Sequence, residues 1–145
     1  MPFTIKHCVQ FSETDMACVV HFANYFRMME EVEHAFFRSL GLSVVMQFDG
    51  VELGWPRVSV ACDYFGPAQF EDQLDLRLTV VRVGDKSLSY EVRVIKDDQA
   101  IALGKITAVC CAMVEGGFQA IAIPGVIAQK LKSGLEAAPG GAKSD

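Results

Sequence analysis

The stretch that decides the architecture is Asn24-Tyr25-Phe26-Arg27-Met28-Met29-Glu30-Glu31-Val32-Glu33-His34-Ala35-Phe36-Phe37-Arg38-Ser39-Leu40-Gly41. Tyr25, Met29, Val32, Phe36 and Leu40 recur at three- and four-residue steps, the period of one helix face. Met28 and Ala35 widen that stripe, while Arg27, Glu31, His34 and Arg38 fall on a different face. Asn24 can serve as N-cap, and Gly41 fits the position just past the last helical residue. The reading is one long helix, about four to five turns, with a single broad buried side.

The segments on either side have a period of two instead. Phe3 to Phe11 reads as a first strand, and Ser12 to Asp15 as a polar turn. Ser43 to Pro56 is irregular, with Gly50, Gly54 and Pro56 in it. Arg57 to Phe65 alternates, and so do Leu74 to Val83 and Leu88 to Ile95, with Gly84-Asp85-Lys86 as a hairpin turn between the last two. Ala100 to Val114 reads as one long strand whose alternation slips at Gly104, the mark of a bulge or of burial on both faces. Phe118 to Ile123 is a short edge strand, and Pro124 opens a terminal helix ending near Leu135. Strand, helix, then a run of strands is an α+β order with an antiparallel meander. Residues 1–136 form the expected single domain, and residues 137–145, small and polar, a frayed tail.

Composition narrows the function. The chain has 145 residues, 51% of them apolar and 21% charged, so one sizeable core fits and some apolar surface is left for self-association. The net charge of −5, without a basic block, argues against nucleic acid as a partner. No leader-like start and no apolar run long enough to span a membrane occur, and the five cysteines fall in neither CxxC nor Cys/His spacing. Free thiols in a reducing cytoplasm and no metal centre are the expectation.

The chemistry concentrates just ahead of the helix, in Phe11-Ser12-Glu13-Thr14-Asp15-Met16-Ala17-Cys18-Val19-Val20-His21-Phe22-Ala23-Asn24-Tyr25. A carboxylate in a turn precedes a helix start, where backbone N–H groups lack intrahelical acceptors and carry the positive end of the helix dipole. That pair can attack and polarise a carbonyl. The stretch resembles the active-site segment of the 4-hydroxybenzoyl-CoA thioesterase family, a branch of the hot-dog-fold thioesterases. Two further stretches resemble it in order: Tyr64-Phe65-Gly66-Pro67-Ala68 with Phe70-Glu71-Asp72, and Val83-Gly84-Asp85-Lys86-Ser87.

The resemblance implies a hot-dog fold, one long central helix wrapped by an antiparallel sheet of five to six strands. It implies an acyl-CoA thioesterase in which Asp15 is nucleophile or general base and the Phe22 backbone amide holds the thioester oxygen. Asn24 caps the helix and Tyr25 lines the acyl side. CoA enters as part of the substrate, with no separate cofactor, and the fold implies a homodimer or homotetramer with sites between subunits. The sequence departs from the family at Cys18, where glycine is common, and at His21-Phe22, where many members carry Tyr-His.

Other candidates have two readings each. His21 is a pocket residue or a half-buried polar tip. Trp55 walls an acyl pocket or packs under a loop. Asp63 faces the site as a second carboxylate or points outward. Lys86 and Ser87 hold CoA phosphates or are solvated hairpin residues. Glu30 and Glu31 are solvated or line the pocket, His34 is solvated or paired, and His7 is structural. A hot-dog hydratase or dehydratase, or a non-catalytic acyl-CoA-binding module, are the alternative functions.

Overall fold

A computed structural model describes residues 2–135; the tail expected over 137–145 lies outside the described residues. The elements are β1 (Phe3–Cys8), α1 (Asn24–Ser39), β2 (Met46–Phe48), β3 (Val51–Gly54), β4 (Arg57–Tyr64), β5 (Gln73–Val83), β6 (Ser87–Lys96), β7 (Gln99–Val109), β8 (Cys111–Val114), β9 (Gly117–Ala120) and α2 (Gly125–Leu131). Short 3₁₀ turns lie at Phe11–Glu13 and Lys132–Gly134. One sheet has five strands in the order β1-β5-β6-β7-β4, and a second has four in the order β2-β3-β8-β9. All ladders between these strands are antiparallel. The expected single sheet of five to six strands is thus corrected to five strands plus a separate sheet of four.

The helix buries the stripe that its sequence dictates. Tyr25, Met28, Met29, Val32, Phe36 and Phe37 are buried, and they share one core with Leu74, Leu76, Leu78 and Val80 of β5 and Leu88, Tyr90, Val92 and Val94 of β6. At its C-terminus Gly41 takes φ +76°, the Leu42 N–H reaches the Phe37 carbonyl at 2.9 Å and the Gly41 N–H the Arg38 carbonyl at 3.0 Å. This is a Schellman stop, which glycine makes without steric cost.

Two expectations about the strands are sharpened. Of the two readings at Gly104, the bulge is not made, since the ladders run through it in register, Cys62↔Gly104 and Val92↔Gly104, while consecutive Ile101 and Ala102 are both buried. The glycine serves a close approach of the helix, because a Cβ there would sit 2.1 Å from Met29 Cε. The long strand expected over residues 100–114 breaks at Cys110, whose N–H donates to the Lys86 carbonyl and whose carbonyl accepts from Ile121. The chain there leaves the larger sheet for the smaller one.

One charge enters the core. Glu33 is fully buried and pairs with the Arg57 guanidinium at the start of β4. Burial pushes its carboxyl above the usual carboxylate range, against the opposing pull of Arg57. Strand β4 itself is an edge of the five-stranded sheet, and its Val58 and Val60 side chains stand exposed.

Candidate active site

The Asp15 loop is anchored at both ends before its carboxylate is placed. Beyond β1, the Val9 N–H donates to the Asp72 carbonyl and the Glu71 N–H to the Val9 carbonyl. The 3₁₀ turn over Phe11–Glu13 is closed by the Glu13 carboxylate, which accepts the Gln10 N–H at 2.7 Å. Thr14 pairs with Val20 in an isolated antiparallel bridge, and the Val20 N–H donates to the Ala68 carbonyl at 2.8 Å. Between these two fixed points the chain makes a tight excursion that carries Asp15.

Within it Asp15 accepts the Ala17 N–H on Oδ1 at 2.8 Å, an Asx turn, and the Cys18 N–H on its carbonyl at 2.9 Å. One carboxylate oxygen is thereby engaged, and among the described residues Oδ2 has no hydrogen-bond partner. Cys18 holds φ +66°, the left-handed region that favours glycine. Cysteine stands where the resembling family commonly has glycine, and the backbone keeps the glycine-type conformation. Phe11, Thr14, Asp15, Met16, Cys18 and Phe70 line a cleft of about 530 Å³, and the Phe11 and Phe70 rings meet edge-on at 5.8 Å.

The helix start is tied to the same loop through one carbonyl. The Glu13 oxygen accepts the His21 N–H at 2.9 Å and the Asn24 side-chain Nδ2 at 2.8 Å. Asn24 is therefore corrected from cap to tether: the N-cap position is Ala23, and Asn24 is the first helical residue. Among the described residues nothing accepts the Phe22 N–H, while the Phe22 carbonyl accepts the Tyr64 hydroxyl at 2.9 Å. A free amide in the residue pair preceding a helix is a ready donor to a developing oxyanion. The Phe22 ring is exposed and stacks on His21 at 4.6 Å. His21 Nδ1 accepts the Ala23 N–H at 3.1 Å, so its ring proton sits on Nε2 when the ring is neutral.

Aromatic hydroxyls frame this end of the helix. Tyr25 is buried and meets Tyr64 edge-on at 5.3 Å. Burial raises both hydroxyls, Tyr64 to about 12, so both stay neutral around pH 7. Burial also raises the Cys62 thiol beside them.

The other expected site residues lie elsewhere. Lys86, exposed, and Ser87 stand at the β5–β6 turn, the opposite end of β5 from the Asp15 loop. Eleven residues of β5 separate the two ends, about 33 Å of strand. Trp55 is buried, meets Phe37 edge-on at 5.6 Å, and lines a separate trough with Glu30, His34 and Arg57. Asp63 is exposed on β4 opposite Leu103. Glu13 was not singled out by the sequence reading, although the Gln10-x-x-Glu13 spacing is that of a capping box.

Comparison with known proteins places the chain in a family. A family model described as the thioesterase superfamily matches residues 18–103. The chain belongs to the thioesterase superfamily. This thioesterase is 32% identical over 133 residues to an Aquifex aeolicus protein named as an esterase, covering 91% of this chain and 99% of that one. It is 28% identical over 115 residues to the 1,4-dihydroxy-2-naphthoyl-CoA hydrolase of a Synechocystis species, covering 78% of this chain and 83% of that one. The crystal structure of a gentisyl-coenzyme A thioesterase matches with a TM-score of 0.75 at 26% identity, covering 86% of this chain and 98% of that one. The protein is a thioester hydrolase, and no helix among the described residues is long and apolar enough to cross a membrane.

Proposed function

We propose that this thioesterase hydrolyses an acyl- or aroyl-CoA thioester to the free acid and CoA, in the manner of the 4-hydroxybenzoyl-CoA thioesterases. Asp15 supplies or activates the attacking oxygen and the Phe22 N–H receives the charge that builds on the carbonyl. The observation that carries this reading is a cleft carboxylate with one free oxygen and an unpaired main-chain donor, both fixed to the backbone around Glu13. In the general-base route Asp15 takes a proton from water, whose oxygen adds to the thioester carbon. The carbonyl oxygen becomes anionic against the Phe22 N–H, the C–S bond breaks, and the leaving thiolate takes the proton back. In the nucleophilic route Asp15 itself adds, CoA leaves, and water cleaves the resulting anhydride.

The aromatic rim favours a flat acyl group. Phe11 and Phe70 bound the cleft, and aromatic faces stack well on aryl substrates. The naphthoyl and gentisyl groups named for the relatives are of that shape. His21, Asn24 and Tyr25 then shape the acyl side, whereas Trp55 and Asp63, away from the Asp15 cleft, would meet substrate only at a neighbouring subunit's site. Lys86 and Ser87, too far along β5 to meet the same ligand, would reach CoA phosphates bound at a neighbouring subunit's site. The exposed Val58 and Val60 on the edge strand β4 support such a homodimer or homotetramer.

The deciding experiment is a panel of aryl-, short- and medium-chain acyl-CoAs with a thiol-detecting readout, run on the wild type and on Asp15→Asn. Turnover of an aroyl-CoA that is lost in the variant is the expected result. Absence of thiol release from every CoA ester would remove this reading.

A further inference from the structure

We infer that His7 is a positioning residue for this site, clamping the Asp15 loop to the helix through Glu13 and Glu31. The inference rests on the hydrolase reading above and concerns what holds its two working groups in register. His7 lies near the end of β1 with its side chain only 11% exposed. Its Nε2 lies 2.9 and 3.1 Å from the two Glu13 carboxylate oxygens. Its Nδ1 lies 2.9 Å from a Glu31 carboxylate oxygen on α1. The cross-strand neighbour, Leu74 of β5, is apolar, so the two carboxylates are the ring's polar partners.

Such an arrangement ties three segments at one ring: the first strand, the loop and the helix. A doubly protonated imidazole donates to both carboxylates at once, whereas a neutral ring donates to one only.

The clamp acts on Asp15 through Glu13. The same Glu13 carboxylate that meets His7 closes the 3₁₀ turn on the Gln10 N–H, and the Glu13 carbonyl holds both the His21 N–H and the Asn24 side chain. Asp15 follows two residues after Glu13, and Phe22 follows His21 directly. A shift of Glu13 therefore displaces the carboxylate and the oxyanion donor relative to each other. Small misplacements of this kind cost rate more than binding, because reaction demands closer alignment than binding does.

The test compares His7→Gln, Glu13→Gln and Glu13→Ala in the full-length chain. His7→Gln, whose amide cannot reach Glu13 and Glu31 on opposite sides as the ring does, should lower kcat about tenfold while KM stays within about twofold. Glu13→Gln keeps an oxygen for the Gln10 N–H and lets its amide donate to a neutral ring, so it should lose less than about twofold where Glu13→Ala loses about tenfold. Amide hydrogen exchange gives a readout that needs no turnover: protection over residues 13–22 should fall in His7→Gln while the β5, β6 and β7 amides keep theirs. If the wild type cleaves no CoA ester, the hydrolase reading fails while the exchange pattern still judges the clamp. Wild-type exchange over residues 13–22 in His7→Gln, equal losses in Glu13→Gln and Glu13→Ala, or a loosening that spreads through the central strands would each overturn the inference.

Discussion

The Asp15 loop and the three central strands lie in one small protein but are held by different forces. Leu74, Leu76 and Leu78 of β5, Leu88 and Val92 of β6 and Ala102 of β7 are at most 1% exposed. Their strands are fixed by apolar burial, worth about 1.5–3 kcal/mol for each large side chain. In the loop, Phe11, Met16, Cys18 and Phe22 stand exposed, and the fixed points are hydrogen bonds to Glu13, Ala68, Val19 and Asp72. Each such bond is worth only about 0.5–1.5 kcal/mol net, yet it has direction. A reacting group needs orientation more than cohesion, so the loop can carry the chemistry with little influence on whether the molecule folds.

Four changes would break or sharpen that contrast. Asp15→Asn should cut turnover by about 10³-fold, the scale of a lost acid–base or nucleophilic group. Its melting temperature should stay within about 2 °C of wild type, since an amide oxygen still accepts the Ala17 N–H. Near-normal turnover would separate Asp15 from the chemistry altogether.

Leu76→Ala is the mirror case. It should cost about 3 kcal/mol in urea unfolding through the cavity it leaves, with kcat per folded molecule within about twofold of wild type. A kcat loss matching that of the loop variant would show that the two regions are not separable.

Tyr64→Phe removes the hydroxyl that donates to the Phe22 carbonyl. Steady-state kinetics should show a few-fold loss of kcat, and unfolding a loss of about 1 kcal/mol or less. An unchanged kcat would mean that the peptide before the helix keeps its orientation unaided.

The smallest effect is on pH dependence. Asp72 has its carboxyl lowered by the Gln69 N–H and by Lys96. A folded pKa below the unfolded one gives stability that is present above the ordinary carboxylate range and lost as pH falls through it. Glu33, raised by burial, has the opposite sign: its contribution is present at low pH and declines as pH rises through and above that range. Urea melts of Asp72→Asn between about pH 3 and 7 should show a flatter acid limb than wild type. An acid limb of unchanged slope would mean that the Gln69–Asp72 turn adds nothing to folding.

How much of this could be read from the sequence depends on which forces leave a periodic trace. The helix spans Asn24–Ser39 against an expected 24–40, because seventeen residues of amphipathic repeat and a terminal Gly41 define it locally. The hairpin of β5 and β6 was equally plain. Strands β2 and β3, three and four residues long, were hidden in the segment read as irregular. So few residues show no alternation, and β3 is joined to the rest of its sheet by β8, some sixty residues away in sequence. The break at Cys110 was invisible for a related reason: residues on both sides keep strand-like composition, and only the partner strand changes. The even alternation of β4 announced a strand with a covered face, but that face lies largely open.

The site shows the same division. Asp15 and the helix start were recognisable as a pattern of residue types, while the Glu13 hub works through a backbone carbonyl that side-chain identity does not reveal. Lys86 and Ser87 matched a motif, and only the length of β5 shows that they stand at the far end of the sheet.

The Asx turn at Asp15 carries one more consequence. A carboxylate pinned by one oxygen cannot rotate to greet a flat carbonyl from either side, and an oxyanion donor at the Phe22 amide would fix where that carbonyl's oxygen must lie. On the hydrolase reading, the approach is confined to a single prochiral face. The tetrahedral centre is then made with one handedness only, and an acyl chain branched next to the carbonyl meets a chiral reagent assembled from a turn and a peptide bond.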